Sequence, residues 1–180
     1  MKAWIVGASV AVALIASGPL RAQNGGAAGS SPSPRTIALV DSTGKAAAKP
    51  LSETIMLVTL SSGDTAPALI RSIYGPDGRT ASGLATWQSG GGVLFTSSGC
   101  TGDAFVYSST YAGVRGAAQV QTPAGVMLYV GAVGATTTAA IRSILYDTGC
   151  AQVSVEQNGL VPVVATVNLT STYPPPLSFQ

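Results

Sequence analysis

The sequence predicts an all-β fold, an antiparallel sandwich or barrel of about 8–10 short strands. Three observations carry that expectation. Short apolar, β-branched runs recur along the chain. Turn residues, above all glycine (22 of 180 residues), fall largely between them. Outside the N-terminal segment, no stretch repeats its apolar positions at the 3.6-residue period of a helix.

The first run, 36–41, ends in Ser42-Thr43-Gly44, and 54–60 ends in Ser61-Ser62-Gly63-Asp64. Segment 68–74 alternates with period two: Leu69, Arg71 and Ile73 on one side, Ile70, Ser72 and Tyr74 on the other. Gly75-Pro76-Asp77-Gly78 is a strong turn, because proline presets one dihedral and glycine accepts positive φ. Further runs are 81–88, 93–97, 104–108, 126–130, 139–146, 151–157 and 161–169. Asn158-Gly159, between the last two, predicts a type I′ hairpin. The alternative to all-β is an α+β fold with a helix in 112–124 or 136–143; Thr136, Thr137 and Thr138 favour strand. The tail, 173–180, carries three consecutive prolines and is expected to be extended or edge-like.

Residues 1–22 read as a cleavable signal peptide. Lys2 supplies the positive start, 5–16 the apolar run, Gly18 and Pro19 the helix break, and Ala22 the small residue before a cut ahead of Gln23. The run is too short to span a bilayer, which takes about 20 residues. No later stretch is long and apolar enough, so no membrane span is expected after signal removal. Residues 23–34 (QNGGAAGSSPSP) read as a flexible Gly/Ser/Pro linker. A single β-rich domain, 35–180, follows. The expected location is export to the periplasm or beyond.

Without Lys2 and Arg21 the basic and acidic residues balance at seven each. The basic residues are scattered, whereas binding a phosphate backbone needs clustered Lys and Arg. Nucleic-acid binding is therefore not expected. Charged residues make up 9% of the chain and apolar ones 46%, so the fold has material for a core. Cys100 and Cys150 are the two cysteines, and an oxidising compartment favours a disulfide between them. Two buried free thiols or a redox pair are the alternatives. A disulfide would close a loop of about 50 residues, worth about 4 kcal/mol on the chain-entropy model.

Shifting the sequence by 71 residues aligns 51–78 with 122–149. Ten of the 23 positions from Met56 to Gly78 are identical, including Ile70-Arg71-Ser72-Ile73 against Ile141-Arg142-Ser143-Ile144. An internal duplication would give two similar β-meanders. Arg71 and Arg142 would then be outward strand residues or the halves of a ligand clamp.

The absence of histidine removes Ser–His–Asp and Cys–His nucleophile sites and His-ligated zinc. Gly44-Lys45 lacks the first glycine of a phosphate loop, its place being taken by Leu39. Asp103 and Asp147 each lie three residues from a cysteine, so a disulfide would draw a carboxylate pair together for glycoside chemistry. Turn capping accounts for the acidic residues more simply. Trp87, Tyr107, Tyr111, Tyr129, Tyr146 and Tyr173 are strand packing or a contact face for a glycan or protein. Asn168-Leu169-Thr170 fits a glycosylation acceptor by pattern only. No catalytic, cofactor-binding or metal-binding residues are assigned.

Four stretches carry a resemblance: "VLFTSSGCTGDAFV" (93–106), "VMLYVG" (126–131), "IRSILYDTGC" (141–150) and the closing "VNLTSTYPPPLSFQ". With an "ALVDSTGK" opening (38–45), they resemble a loose group of exported bacterial β-rich proteins with paired cysteines. The resemblance implies an exported β domain with Cys100 and Cys150 paired, and no activity. Three terminal prolines replace the group's usual two. The expectation from sequence is a non-catalytic binding or display module. The alternatives are a subunit of a surface appendage or adhesin-like assembly, using the tail or an edge strand, and a carboxylate-dependent envelope hydrolase.

Overall fold

The computed structural model describes residues 37–180. The signal peptide, the cut between Ala22 and Gln23, and the 23–34 linker lie outside the described residues. Twelve strands occur in order: β1 (Leu39–Val40), β2 (Ala46–Pro50), β3 (Ile55–Thr59), β4 (Thr65–Tyr74), β5 (Thr80–Trp87), β6 (Val93–Ser97), β7 (Thr101–Tyr107), β8 (Ala117–Thr122), β9 (Gly125–Gly131), β10 (Thr137–Tyr146), β11 (Gly149–Asn168) and β12 (Leu177–Phe179). One short helix, α1 (Leu169–Thr172), lies between β11 and β12. The all-β expectation holds, and 112–124 and 136–143 hold strands, not a helix.

Strands β1 to β5 and β12 form a closed six-strand antiparallel barrel. The tail closes it. β12 pairs with β1 on one side (Leu39 with Phe179) and β5 on the other (Leu177 with Ala85). Ala38 and Gln180 exchange both backbone bonds at 2.9 and 3.0 Å. The proline-rich tail is thus neither loose nor an edge. α1 turns the chain toward it. Asn168 caps α1, its Oδ1 accepting from the Ser171 N–H and its Nδ2 donating to the Ala124 carbonyl.

The other six strands run β10-β6-β7-β11-β9-β8, with β10 also paired to β11. The predicted hairpin at Asn158-Gly159 is corrected: β11 runs straight through it. A type I′ turn needs positive φ at both central residues, and only Gly159 has it, at +70°. The segments on either side pair with different strands. Residues up to Leu160 pair with β10, 160–162 with β7, and 163–168 with β9. The extra residue is absorbed as a bulge opposite Thr137 and Ala139, which bends the strand. Another register shift, between Val163 and Ala165, follows as pairing passes to β9. The two halves of the sequence similarity pair differently: β3 and β4 form a hairpin, whereas β9 and β10 each pair with β11.

β9 is packed on both faces, buried on one and half-buried on the other. Val126, Leu128 and Val130 join the barrel core with Met56, Val58 and Ile70. Tyr129, on the opposite face, packs on a second cluster containing Val93, Phe95, Val106 and Val120. Trp87 and Tyr173 belong to the barrel core, their rings 6.4 Å apart, and Trp87 Nε1 donates to the Tyr173 carbonyl at 2.9 Å. Both therefore leave the list of contact-face aromatics.

Asp41 holds the β1–β2 turn. Its Oδ1 accepts from the Thr43 N–H, the Thr43 hydroxyl and the Lys45 N–H. The Thr43 hydroxyl bond is the largest influence lowering its pKa below the usual 3.8; burial opposes it, and the Lys45 and Thr43 amides and the Lys45 charge add to the lowering. A carboxylate with a depressed folded pKa contributes stability above its unfolded pKa and loses it as pH falls through the folded value. Asp41→Asn should lower the urea midpoint near neutral pH. The gap to wild type should close as pH falls below about 3.8, as read by denaturation at several pH values.

The sulfurs of Cys100 and Cys150 lie at disulfide distance, with 5.8 Å between the Cα atoms. They join the tip of the β6–β7 hairpin to that of β10–β11. Ser143, fully buried on β10, sets the first tip: its hydroxyl donates to the Ser97 carbonyl at 2.6 Å and accepts from the Cys100 N–H at 2.8 Å. Cys100 has φ +55°, unusual for a residue with a side chain. Replacing both cysteines by serine should lower stability by about 4 kcal/mol, a fall of about 8–16 °C in thermal midpoint.

Candidate functional site

Barrel strands should turn one face inward and the other to solvent. β3 and β4 are apolar on both. Met56, Val58, Ala66, Ala68 and Ile70 are buried inside, and Ile55, Leu57, Pro67 and Leu69, on the alternate positions, are only half-buried. Ile55 stands opposite Leu69 and Leu57 opposite Pro67, so the outward face is a continuous apolar stripe. Apolar surface left facing out favours a cover.

The loop between β7 and β8, residues 108–116, is that cover, and it leaves a cavity of about 290 Å³ beneath it. Ile55, Pro67 and Leu69 form the floor. Tyr107, Ser108, Ser109, Thr110 and Tyr111 form one wall, and Arg115, Gly116, Ala117 and Gln119 another, with Gly90 alongside. Tyr107 and Tyr111 are 52% and 59% exposed, so much of each ring is free at the rim.

Three contacts position the loop. Gly116 lies against β7, where a Cβ would overlap the Tyr107 carbonyl oxygen. Its own carbonyl accepts from the Gly131 N–H at 2.8 Å. Arg115 then reaches across the end of the cleft: Nη2 meets Asp64 Oδ2 at 2.8 Å and Nη1 donates to the Gly131 carbonyl at 3.3 Å. Asp64 belongs to the turn that joins β3 and β4.

Gln119, buried on β8, fixes the back of the cleft. Just past the end of β5 the Gln88 N–H still donates to the Leu69 carbonyl, at 3.0 Å, and the Gln119 side chain completes the pairing of Leu69. Its Oε1 accepts from the Leu69 N–H and its Nε2 donates to the Leu69 carbonyl. Its backbone exchanges two hydrogen bonds with Gly90, at 2.8 and 3.0 Å. Asp147 caps the same strand, accepting from the Gln121 N–H at 2.7 Å. The exposed edge of β8 is thereby blunted.

The residues singled out from sequence are distributed as follows. Tyr107 and Tyr111 meet at the cavity. Tyr146 is exposed elsewhere, and Tyr129 is half-buried, burial raising its pKa above the usual 10. Arg71 is exposed on β4, while Arg142 donates to the Ser154 hydroxyl at 2.6 Å. The Asp103 backbone N–H is held by the Thr96 hydroxyl, and Asp147 serves β8. Among the described residues, no group of three or more His, Cys, Asp or Glu is placed to hold a metal ion. Arg115, Gln119 and the floor residues were not singled out by sequence. The signal for the floor was a hairpin apolar on both faces.

No family model matches the chain, and no curated protein or solved structure is significantly similar to it.

Gln119→Ala would leave the half-buried Leu69 N–H without its side-chain acceptor. Stability should fall by about 1–3 kcal/mol, and the Leu69 and Gly90 amides should exchange faster with solvent, as measured by denaturation and hydrogen exchange.

Proposed function

We propose that this chain is an exported, non-catalytic binding module whose ligand sits between the β3–β4 hairpin and the 108–116 loop. One observation carries the reading: an apolar floor that the fold covers with a loop yet leaves unfilled, with two exposed tyrosines at its mouth. Ligand sites are typically concave and mostly apolar, with a few polar groups that orient what enters. Arg115 and the hydroxyls of Ser108, Ser109 and Thr110 are such groups.

Export is supported by the signal-like N-terminus and by the Cys100–Cys150 pair. Among the described residues no helix is long and apolar enough to cross a membrane. The motifs shared with the loose exported group point the same way. Two observations weigh against a strand-exchanging appendage subunit: the tail is paired on both sides as β12, and β8 is capped by Gly90 and Asp147. The hydrolase reading has less support, because Asp147 is engaged with the Gln121 N–H.

The test is a methyl- and amide-resolved NMR screen of small glycans and small amphipathic molecules. A binder should shift Ile55 and Leu69 methyls and the Tyr111 amide, and Tyr111→Ala should weaken it at least about fivefold. A screen whose hits all map away from the cleft, or do not respond to Tyr111→Ala, would sink the reading.

A further inference from the structure

We infer that the ligand of this cleft is a small amphipathic carboxylic acid, its apolar part on Ile55, Pro67 and Leu69 and its carboxylate on Arg115. The inference rests on the cleft being the binding site and adds the chemical class of what it takes.

Charge singles out an anion. Among the described residues, Arg115 is the one charged residue lining the cavity, and no carboxylate lines it. An entering acid therefore meets a guanidinium whose one competing carboxylate, Asp64, lies outside the cavity lining. Guanidinium donors match a carboxylate in a two-point fork, which an ammonium does not.

The existing partner is replaceable. The Arg115 side chain is 16% exposed and that of Asp64 49%, so the cation sits inward and the anion in water. A pair with one half so exposed contributes little, because water and salt screen it. Asp64 also has another partner, the Ser62 hydroxyl, which donates to Oδ2 at 2.9 Å. When a ligand carboxylate takes Arg115, Asp64 keeps Ser62 and regains water. The ligand's ion pair forms on the drier side, where it is stronger.

Size and floor chemistry point to a small molecule with an apolar body. The cavity is at the lower end of the ~300–1,000 Å³ usual for ligand sites. Three aliphatic floor residues offer nothing to sugar hydroxyls, whereas an alkyl chain buries area there. The exchange also has a mechanical side. The Arg115–Asp64 pair is the loop's ion pair to the hairpin, so an acid that displaces Asp64 removes that tie while the Gly116 contacts hold the loop to β7 and β9.

Calorimetry and methyl NMR on the full chain, with octanoate and octanamide as probes, test this. Octanoate should bind at least about tenfold more tightly than octanamide. Arg115→Gln should erase that preference. Asp64→Asn should raise octanoate affinity about two- to fivefold by removing the competitor, and it decides the matter if Arg115→Gln fails to fold. Equal binding of the two probes, or weaker octanoate binding in Asp64→Asn, overturns the inference. If octanoate leaves the cleft methyls unmoved while another screened compound shifts them, the acid is wrong and the site stands. If nothing shifts them, both fall.

Discussion

The constraint on which this structure depends is the two-sided packing of β9. Its Val126, Leu128 and Val130 face the barrel core, and Tyr129 faces the second cluster. A strand with neighbours packed on both faces turns no polar side to water, so it reads as a continuous apolar run, VMLYV. Through β9 the two sheet systems share a wall. β8, paired to β9, is then brought beside β4, where Gln119 can serve Leu69. The cleft is a result of that placement: the β3–β4 hairpin meets the β7–β8 loop because β9 holds their sheets together.

Much of the fold was legible in the sequence because period-two alternation and turn chemistry are local. The β4 and β10 runs and the Asp41 turn fall into that class, while the cysteine pair, 50 residues apart, was legible because the chain has two cysteines. What was misread depended on partners distant in sequence. Asn158-Gly159 has the chemistry of a turn, yet Leu160 pairs with both Thr137 and Tyr107, and such cross-pairing keeps the strand going. Strand β8 was obscured by its alanines, which carry little β preference. The Asn168 cap was hidden at the end of an apolar run.

The site was legible only in part, for the same reason. Tyr107 and Tyr111 stood out as aromatics, but Trp87 and Tyr173 looked no different and went into the core. What separates them is which side of a sheet they occupy, and that follows from register. Arg115 looked like one of several scattered cations. Its position is set by Gly116, whose missing side chain lets the loop close against the Tyr107 carbonyl. The floor carried the strongest sequence signal. A hairpin with Ile55, Leu57, Pro67 and Leu69 between the inward residues is too apolar for one solvated face.

The barrel seam between β1 and β12 has a mechanical consequence. Ala38 and Gln180 are hydrogen-bonded to each other, so chain attached before β1 and chain attached after β12 leave from one spot. Tension between those two attachments would load the seam in peeling geometry, parting its few bonds one after another at low force. Tension between one attachment and a ligand in the cleft would not open the seam in this way. Held by its N-terminal side, the domain would hang from that one point, with load entering through β1 and shared between its pairings to β12 and β2.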